Sequence, residues 1–457
     1  MGKFRFLFAL WMAKLSRPAL KITKHNGTNF PGELALKLCP DFLEYIGKPG
    51  RIIAVTGTNG KTTVSNMLCD ILESRGEMIL NNRAGSNIAS GISTSLIIGA
   101  SLFGKAKYST AVFEVDERSS LKIYPYVRPD LVVITNLFRD SIMRNAHPAY
   151  IADILSQAIP KTAKLVLNAD DLISSGVSPE NDRAYFGIDK METDRTNCIN
   201  LINDMRICPK CSGTLDYEYL RYHHIGKARC SVCGFESPPY DFAAENVDFD
   251  SMSMDIVHGG ETCGVKLLSD SIFNVYNMVT VIAALCQLGF SLVEATADME
   301  KTKIVETRHN EEDVGNIRLV MQMAKEKNAL AVSRAFDYVA SRPGRKELFL
   351  MMNCLGDVKH WSENTCWLYD CDFEFLASGD ISQIVVTGSR AKDYRLRLLL
   401  AGVPDEKIYC EMDEFKASEL LNFTPGDSVY VFYGTDSLTL ALRVRERIAH
   451  LAEEAAK

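Results

Sequence analysis

The sequence predicts an α/β protein whose central parallel-sheet domain carries a glycine-rich loop and an inserted cysteine module, followed by a second α/β domain. Three observations support this fold class. Short apolar runs alternate with helical stretches along most of the chain. The run at 51–56 leads directly into GTNGKTT and then into a helical segment that ends on Gly76. Two C-x-x-C pairs interrupt this alternation between residues 198 and 240.

The composition is that of a multi-domain globular chain. The 457 residues correspond to two to four domains at roughly 100–200 residues each. The chain is 47% apolar and 24% charged, which excludes disordered, collagenous and disulfide-scaffold proteins. A net charge of −7 makes nucleic acid a poor default partner, and we expect none. No apolar run reaches the roughly 18 residues that a membrane span needs.

The first 47 residues are expected to form a leader segment. Lys3 and Arg5 precede a short apolar stretch, but Lys14 interrupts it and no small-x-small cleavage site follows, which argues against secretion. Two interpretations remain: an amphipathic helix that covers a core, or a helix that docks on a membrane surface. Thirteen cysteines without an export signal favour the reducing cytoplasm, with a peripheral position at the membrane as the second interpretation.

The remaining elements follow from apolar runs in chain order. The predicted strands of the central domain after the first one are 111–117, 131–137 and 164–171. Helices are expected at 149–159 and at about 274–290. Strands predicted near the end of the chain are 347–353, 383–389 and 428–434. The charged stretch 299–316 indicates a boundary, so we expect three parts: the leader 1–47, a central domain 48–300 with an insertion at about 198–240, and a C-terminal domain 301–457.

The segment GTNGKTT predicts a phosphate-binding loop. Glycines allow a tight turn that brings backbone N–H groups to phosphate oxygens, and the following helix start adds partial positive charge. Lys61 would reach the β- and γ-phosphates, and the Thr62 hydroxyl would ligate Mg²⁺. Val55 stands where the longer Walker A pattern has glycine. The alternative is an ordinary strand-to-helix turn, against which the Gly-Lys-Thr-Thr run argues.

Polar residues follow two of the predicted strands. Carboxyl ends of parallel strands meet at one edge of a sheet, where ligands gather. We interpret these residues as candidates for a metal or nucleotide site, with solvated loop charges as the alternative. The candidates are Glu114, Asp116, Glu117, Asn136, Arg139 and Asp140.

Two C-x-x-C pairs separated by 18 residues have the spacing of a zinc ribbon. Four thiolates complete a tetrahedron and leave no position for water, so the zinc would be structural. The alternatives are a redox-active cysteine pair or a cysteine cluster that does not bind metal. His223 and His224, between the pairs, are expected to be exposed loop residues. The predicted ligands are Cys208, Cys211, Cys230 and Cys233.

Several motifs together resemble the Mur ligase family. They are GTNGKTT at 57–63, TNLFRD at 135–140, LNADD at 167–171 and the Asn-rich helix opening FNVYN at 273–277. The ribbon insertion narrows the resemblance to the MurT-type subunits within that family. Further matches to this branch are TNFPG at 28–32, WLYDCDF at 367–373 and VTGSRAKDYRLRL at 386–398. The resemblance covers nearly the whole chain.

The resemblance implies ATP-dependent amide formation. In this branch, ATP phosphorylates the α-carboxyl of D-isoglutamate in the stem peptide of lipid II, at the inner face of the membrane. Ammonia then attacks the acyl phosphate and gives D-isoglutamine. The ammonia comes from a separate GatD-type glutamine amidotransferase subunit, so the implied partner makes a heterodimer. The implied cofactors are ATP, Mg²⁺ and Zn²⁺.

The resemblance also implies site residues. Thr62 and Glu114 would serve Mg²⁺. Asn136 and Asn277 would line the nucleotide site, and Arg308 falls where the family has a Gly-Arg pair, although Thr307 replaces the glycine. The residues implied to hold the ATP phosphates are Gly57, Thr58, Asn59, Gly60, Lys61, Thr62 and Thr63.

The chain departs from the family pattern at three places. Segment 135–147 lacks a later Asp and a Glu, and segment 325–330 lacks a Pro and a Gly. Asn364 stands where the family has an Asp that is lent to the partner's Cys–His pair, and an amide cannot stabilise an imidazolium as a carboxylate does. Asp357 is the candidate replacement. Two alternatives therefore remain: a divergent nucleotide-binding scaffold, or a ligase for another carboxylate.

Overall fold

The computed structural model describes residues 2–22, 28–83, 85–139, 147–302, 309–326, 328–352 and 365–457. The chain forms two compact units. The first contains Met1–Phe138, Pro148–Ile199 and Asn203–Ile304; the second contains Arg139–His147, Asn200–Ile202 and Val305–Lys457. Each unit is built on a largely parallel sheet with helices. The predicted fold class, a central parallel-sheet domain followed by a C-terminal α/β domain, is confirmed.

The first unit contains a nine-stranded sheet among its described residues, in the order β11-β10-β9-β6-β5-β4-β1-β3-β2. Strands from β2 to β9 in this order run parallel, and β10 and β11 extend the edge as antiparallel strands. Strand β1 lies between β3 and β4, at the centre of the parallel part. The strands of this unit are β1 Arg51–Thr56, β2 Ile79–Asn81, β3 Thr110–Glu114, β4 Leu131–Ile134, β5 Lys164–Asn168, β6 Arg183–Ile188, β7 Leu215–Tyr222, β8 Ile225–Cys230, β9 Phe242–Asp248, β10 Ser253–His258 and β11 Glu261–Lys266.

Helices cover this sheet. The described helices of the first unit are α1 Gly2–Ile22, α2 Phe30–Leu38, α3 Phe42–Tyr45, α4 Lys61–Ser74, α5 Ala89–Ile98, α6 Ser120–Ile123, α7 Pro148–Ala158, α8 Ile272–Gln287 and α9 Leu292–Met299. Helix α8 is buried on all sides from Val275 to Leu285, as expected for an apolar helix enclosed by its neighbours. It packs against α4, α9 and the strands β5, β6 and β9.

Three predicted strands of this unit end earlier in the structure than in the sequence interpretation. Strands β3, β4 and β5 end at Glu114, Ile134 and Asn168, whereas the predicted runs extend to 117, 137 and 171. The residues after β4 hydrogen-bond with the glycine-rich loop instead of extending the strand. Apolar character continues past the strand ends because these residues are also buried.

The cysteine module contains an antiparallel hairpin of its own. Strands β7 and β8 pair from Leu215 with Cys230 to Tyr222 with Ile225. His223 and His224 form the two-residue turn, with His223 at φ 48°. The hairpin therefore has a cysteine end and, on the far side, a histidine end.

Helix α1 packs against α2, α3 and α5. Its buried side chains, Phe6, Ala9, Leu10 and Ala13, join the core that includes Phe42, and the rings of Phe6 and Phe42 lie 5.2 Å apart. One face of α1 therefore packs as expected for an amphipathic helix that covers a core, which is the first of the two interpretations of this segment.

The second unit contains a six-stranded sheet among its described residues, in the order β12-β13-β17-β14-β15-β16. Only the β12–β13 pair is antiparallel in this sheet. One buried cluster contains Phe336, Trp367 and Phe432, and another contains Phe349 and Val431. The strands are β12 His309–Val314, β13 Ile317–Met323, β14 Lys346–Met351, β15 Ile381–Val386, β16 Ile408–Cys410 and β17 Ser428–Tyr433. The helices are α10 Ala329–Ser341, α11 Trp367–Asp370, α12 Ala391–Leu400, α13 Glu414–Ser418 and α14 Leu438–Ala455.

Candidate nucleotide site and metal cluster

The glycine-rich loop lies between the end of β1 and the start of α4. Gly57 and Gly60 have φ values of 122° and 87°, which residues other than glycine rarely adopt. A Cβ on Gly57 would lie 2.4 Å from the Thr135 hydroxyl, and one on Gly60 would lie 2.4 Å from Asn277 Oδ1. Both glycines are therefore required by conformation and by space, and Asn277 lies against the loop.

The segment after β4 holds this loop in place. The Asn59 amide donates to Asn136 Oδ1 at 3.0 Å, and Asn136 Nδ2 donates back to the Asn59 carbonyl at 3.1 Å. The Thr58 amide donates to the Asn136 carbonyl at 2.8 Å, and the Phe138 amide donates to the Thr58 hydroxyl at 2.8 Å. Asn136 thus fixes the loop conformation through both its backbone and its side chain.

A buried carboxylate holds the ammonium group of Lys61 at the loop. Its Nζ lies 2.9 Å from Glu117 Oε1 and also donates to the Gly57 carbonyl. The side chains of Lys61 and Glu117 are only 11% and 3% exposed. Because a buried charge needs a compensating partner, Glu117 keeps the ammonium group at the loop. Nζ also donates to the Thr58 carbonyl at 3.3 Å, so each of the three donors of the ammonium group has an acceptor, and a phosphate oxygen would replace one of the two carbonyls.

Thr62 is paired with the acidic residue that ends β3. Its hydroxyl donates to Glu114 Oε2 at 2.7 Å, while Asn87 Nδ2 donates to Glu114 Oε1 at 2.9 Å. Asn82 binds both the amide and the carbonyl of Glu114, at 2.9 and 2.8 Å. Hydroxyl and carboxylate oxygens are the ligands that Mg²⁺ prefers. The donor set of Thr62 and Glu114 therefore fits this ion.

The three acidic candidates at the end of β3 and just after it have three different surroundings. Glu114 lies beside Thr62 and Glu117 beside Lys61, whereas an oxygen of Asp116 accepts the amide of Ser119 at 3.0 Å and thereby supports the turn into α6. Asn136 contacts the loop. Four further predicted site residues, Asp140, Arg308, Asp357 and Asn364, lie outside the described residues.

The four predicted cysteines lie together. Their sulfur atoms are all within 4.8 Å of one another, with Cys208–Cys233 at 3.6 Å and Cys211–Cys230 at 3.5 Å. Tetrahedral zinc with bonds of about 2.3 Å places sulfurs about 3.8 Å apart, so the spacing fits this ion. Amide hydrogen bonds, first from Cys233, lower the pKa of the Cys230 thiol to about 6, which favours the thiolate form that metals bind.

The histidine end of the ribbon hairpin is buried, so the expectation of exposed histidines is wrong. His223 is 4% exposed and His224 is 0% exposed. His224 Nε2 lies 3.2 Å from Asp171 Oδ1, and its ring lies 4.5 Å from that of Phe138. The other oxygen of Asp171 accepts the amide of Leu137 at 2.7 Å. The turn contacts the segment that holds the glycine-rich loop, and this contact excludes water from both histidines.

A buried polar network lies next to this contact and was missed in the sequence. Arg221 Nη1 lies 3.3 Å from Asp170 Oδ2, and its Nη2 lies 2.7 Å from Asp194 Oδ2. Tyr276 and Tyr240 donate to the two oxygens of Asp170 at 2.6 and 2.5 Å. Burial and then the charge of Asp170 raise the pKa of Tyr240 far above its usual value, so its hydroxyl stays protonated as a donor. The signal available beforehand was the Asp-Asp pair at the carboxyl end of a predicted strand.

Comparison with known proteins gives consistent family matches. The family described as Mur ligase middle domain matches residues 55–201, and the one described as MurT ligase C-terminal matches residues 326–435. A protein of Staphylococcus aureus (strain COL), named lipid II isoglutaminyl synthase (glutamine-hydrolyzing) subunit MurT, is 30% identical over 425 residues, which is 90% of this chain and 91% of the relative. A protein of the same name from Streptococcus pneumoniae is 29% identical over 84% of both chains.

A solved structure supports the same fold. The pseudomurein peptide ligase type C from Methanothermus fervidus superposes with a TM-score of 0.67 at 20% sequence identity, covering 90% of this chain and 81% of that one. At this identity the likeness concerns the fold alone. The near full-length match to the staphylococcal relative carries the family assignment: this chain belongs to the MurT family of Mur ligases.

Proposed function

We propose that the chain is the synthetase subunit of a lipid II isoglutaminyl synthase. It would convert the α-carboxyl of D-isoglutamate in the stem peptide of lipid II to the amide, at the cytoplasmic face of the membrane. Support comes from the name of relatives that are 29–30% identical over most of both chains. The geometric observation that carries the proposal is the pairing of Lys61 with Glu117 and of Thr62 with Glu114 on one glycine-rich loop.

The loop would bind ATP. Backbone amides from Gly57 to Thr63 would bind phosphate oxygens, as they do at glycine-rich helix starts. Thr62 and Glu114 would hold Mg²⁺, which supplies positive charge next to the transferred phosphoryl group. Asn136 and Asn277, both in contact with the loop, would line the nucleotide site. Arg308 is proposed for the same site from the family resemblance.

The reaction would proceed in two steps. A carboxylate oxygen of the stem peptide attacks the γ-phosphorus of ATP, and the bond to the β-phosphate oxygen breaks to release ADP. Ammonia then attacks the acyl carbon, inorganic phosphate leaves with the bonding electron pair, and the nitrogen loses a proton to give the amide. The positive charge of Lys61 stabilises the phosphoryl group during transfer. This stabilisation supplies the main contribution of the chain to the first step.

The four-cysteine cluster would hold a structural zinc ion. Support comes from the sulfur spacing and from amide hydrogen bonds to the sulfurs of Cys208, Cys211 and Cys230. Four thiolate ligands close the coordination sphere. The ion would therefore stabilise the cysteine end of the hairpin and take no part in the amidation chemistry.

Ammonia would come from a GatD-type glutamine amidotransferase that forms a heterodimer with this chain. The relatives are named as subunits of a glutamine-hydrolyzing synthase, which supports a partner with this chemistry. Asp357 is the carboxylate that we assign to the partner's Cys–His pair, because Asn364 occupies the position where the family has Asp. A carboxylate in that role would orient and stabilise the imidazolium.

The activity test is ATP-dependent amidation of detergent-solubilised lipid II, read by the small mass decrease that replacing a hydroxyl by an amide produces. The purified chain is supplied with ammonium ions, and in a second reaction with glutamine and the candidate partner. We expect product in both, and its loss in Lys61→Ala but not in the matched surface variant Lys164→Ala. ATP binding without product under either condition would overturn the proposal and favour a scaffold or a ligase for another carboxylate.

The assignment of Asp357 has its own test. Asp357→Asn should lower glutamine-dependent amidation by at least about 100-fold, while the rate with ammonium ions stays within about twofold of wild type. The control is Asp380→Asn, which changes an exposed carboxylate of the second unit. Equal rates with both nitrogen sources in Asp357→Asn would remove Asp357 from the proposal and leave the synthetase activity untouched.

A further inference from the structure

Helix α1 has a second apolar face opposite the one that packs on the core. At 100° per residue, positions 4, 8, 11 and 15 fall on one stripe, and positions 6, 9, 10 and 13 fall on the other side. The core-facing side chains are buried, whereas Phe4 is 79% and Leu15 is 66% exposed. An apolar stripe of this size on a surface helix indicates a binding face. The exposed stripe consists of Phe4, Phe8, Trp11 and Leu15.

A neighbouring loop extends the stripe. Leu102 and Phe103 are 64% and 74% exposed, and Trp11 Nε1 donates to the Leu102 carbonyl at 2.8 Å. Lys14 Nζ donates to the carbonyls of Ile97 and Ala100, at 2.6 and 2.8 Å. These bonds fix the loop beside the helix. We call the combined surface the α1 patch; it consists of Phe4, Phe8, Trp11, Leu15, Leu102 and Phe103.

Basic residues flank the α1 patch. The first 32 residues contain six Lys or Arg and no Asp or Glu, in a chain whose net charge is −7. Lys3 and Arg5 adjoin Phe4 in the sequence and Lys105 lies two residues after Phe103; all three are exposed. Burial and then the nearby charges of Lys107 and Arg17 lower the pKa of Lys14, so these cations lie close enough to repel one another. An anionic surface would relieve this repulsion.

We propose that the α1 patch docks on an anionic lipid bilayer, with α1 lying in the plane of the membrane interface. Phenylalanine, tryptophan and leucine on one face with lysine and arginine at its border are the features of interfacial helices, and tryptophan favours the headgroup region. No helix within the described residues is long and apolar enough to cross a membrane. A second copy of the chain is a poor occupant, since a two-fold interface would bring the same cations together.

This proposal rests on the proposed function for its biological meaning, because lipid II is itself a membrane lipid. Docking through α1 would confine the enzyme to the surface that carries its substrate. The physical argument stands on the exposed stripe and its charge alone, and the test uses vesicles that contain no lipid II. Failure of docking and failure of amidation are therefore separate results.

The experiment is flotation of the full chain with vesicles of phosphatidylglycerol and phosphatidylethanolamine, compared with phosphatidylcholine alone. We expect binding to the anionic vesicles, at least about tenfold weaker binding to the neutral ones, and loss of binding as salt is raised. The double variant Phe8→Ser, Phe103→Ser should weaken binding by about tenfold or more. The control Leu400→Ser, Met412→Ser removes side chains that are 63% and 55% exposed in the second unit and should bind as wild type does.

Three outcomes would overturn the proposal. The first is absence of wild-type flotation with anionic vesicles at low salt. The second is equal flotation of the patch variant and the control variant. The third is a wild-type oligomer in light scattering that the patch variant converts to monomer, which would assign the face to self-association. All substituted side chains are exposed, so thermal melting should be unchanged and serves as the folding control.

Discussion

The glycine-rich loop and the ribbon hairpin both contact segment 135–138, but they differ in how exposed their polar side chains are. The loop presents an exposed Thr62 and a Lys61 whose side chain is 11% exposed. Thr62 is paired with Glu114 at the end of β3, and Lys61 is paired with Glu117 just beyond it. The hairpin presents His224 and Arg221, which are completely or almost completely buried. This difference indicates that side chains that act on a ligand keep access to it, while the side chains that support them are buried in the protein.

The largest expected effect concerns the loop. The double variant Lys61→Ala, Glu117→Gln removes both partners of the ion pair, so no unpaired carboxylate stays buried. The amidation rate should fall roughly 1,000-fold, while the melting temperature stays close to that of the wild type. Rate measurement with ammonium ions and calorimetric melting test this. A variant that keeps most of the wild-type rate would show that the loop charge is not used in the reaction.

The next effect concerns the buried network of the hairpin. Arg221→Met leaves the carboxylates of Asp170 and Asp194 without their cation and should lower the free energy of unfolding by about 3–5 kcal/mol. The matched variant Arg229→Met, on the other strand of the hairpin, removes an exposed arginine whose contact with Glu236 is 3.8 Å and should cost less than about 1 kcal/mol. Urea unfolding measures both. Similar small losses in the two variants would contradict a supporting role for Arg221.

A smaller effect is expected at the hairpin turn. His224→Ala removes the ring between Phe138 and Asp171, so the segment that holds the loop loses one of its contacts. ATP affinity measured by calorimetry should fall by about fivefold, with stability reduced by about 1–3 kcal/mol. His450→Ala, at an imidazole that is 59% exposed in the second unit, is the control. Unchanged ATP affinity in His224→Ala would separate the hairpin from the nucleotide site.

The smallest effect on nucleotide binding is expected from the metal. An eight-residue strand such as β7 spans roughly 20 Å or more, so the cysteines lie far from the histidine turn. Removing the metal with a chelator, with release followed by a chromogenic dye, should yield about one zinc per chain and change ATP affinity by less than about twofold. A loss of ATP affinity as large as that in His224→Ala would show instead that the cysteine end of the hairpin affects the nucleotide site through the two strands.

The predictable part of the structure consists of local patterns. The strand at 51–56 and the helix that follows the loop are found in the structure, as are the strands predicted in the second unit. Apolar runs and glycine positions depend on interactions within a few residues, which a sequence displays directly. The four cysteines lie together for a similar reason, since two short turns need only one hairpin to bring them into contact.

The sequence by itself determined which residue types are available: a glycine-rich loop, carboxylates at strand ends, two cysteine pairs and an apolar, basic first helix. The tertiary structure decided their partners. Lys61 and Glu117 are 56 residues apart and His224 and Asp171 are 53 apart, so each pair exists only because the order of strands brings distant loops to one edge. The same holds for α1, whose sequence is apolar on two sides and of which packing covers only one. Local patterns reflect short-range backbone energetics, whereas burial and charge pairing depend on which elements become neighbours.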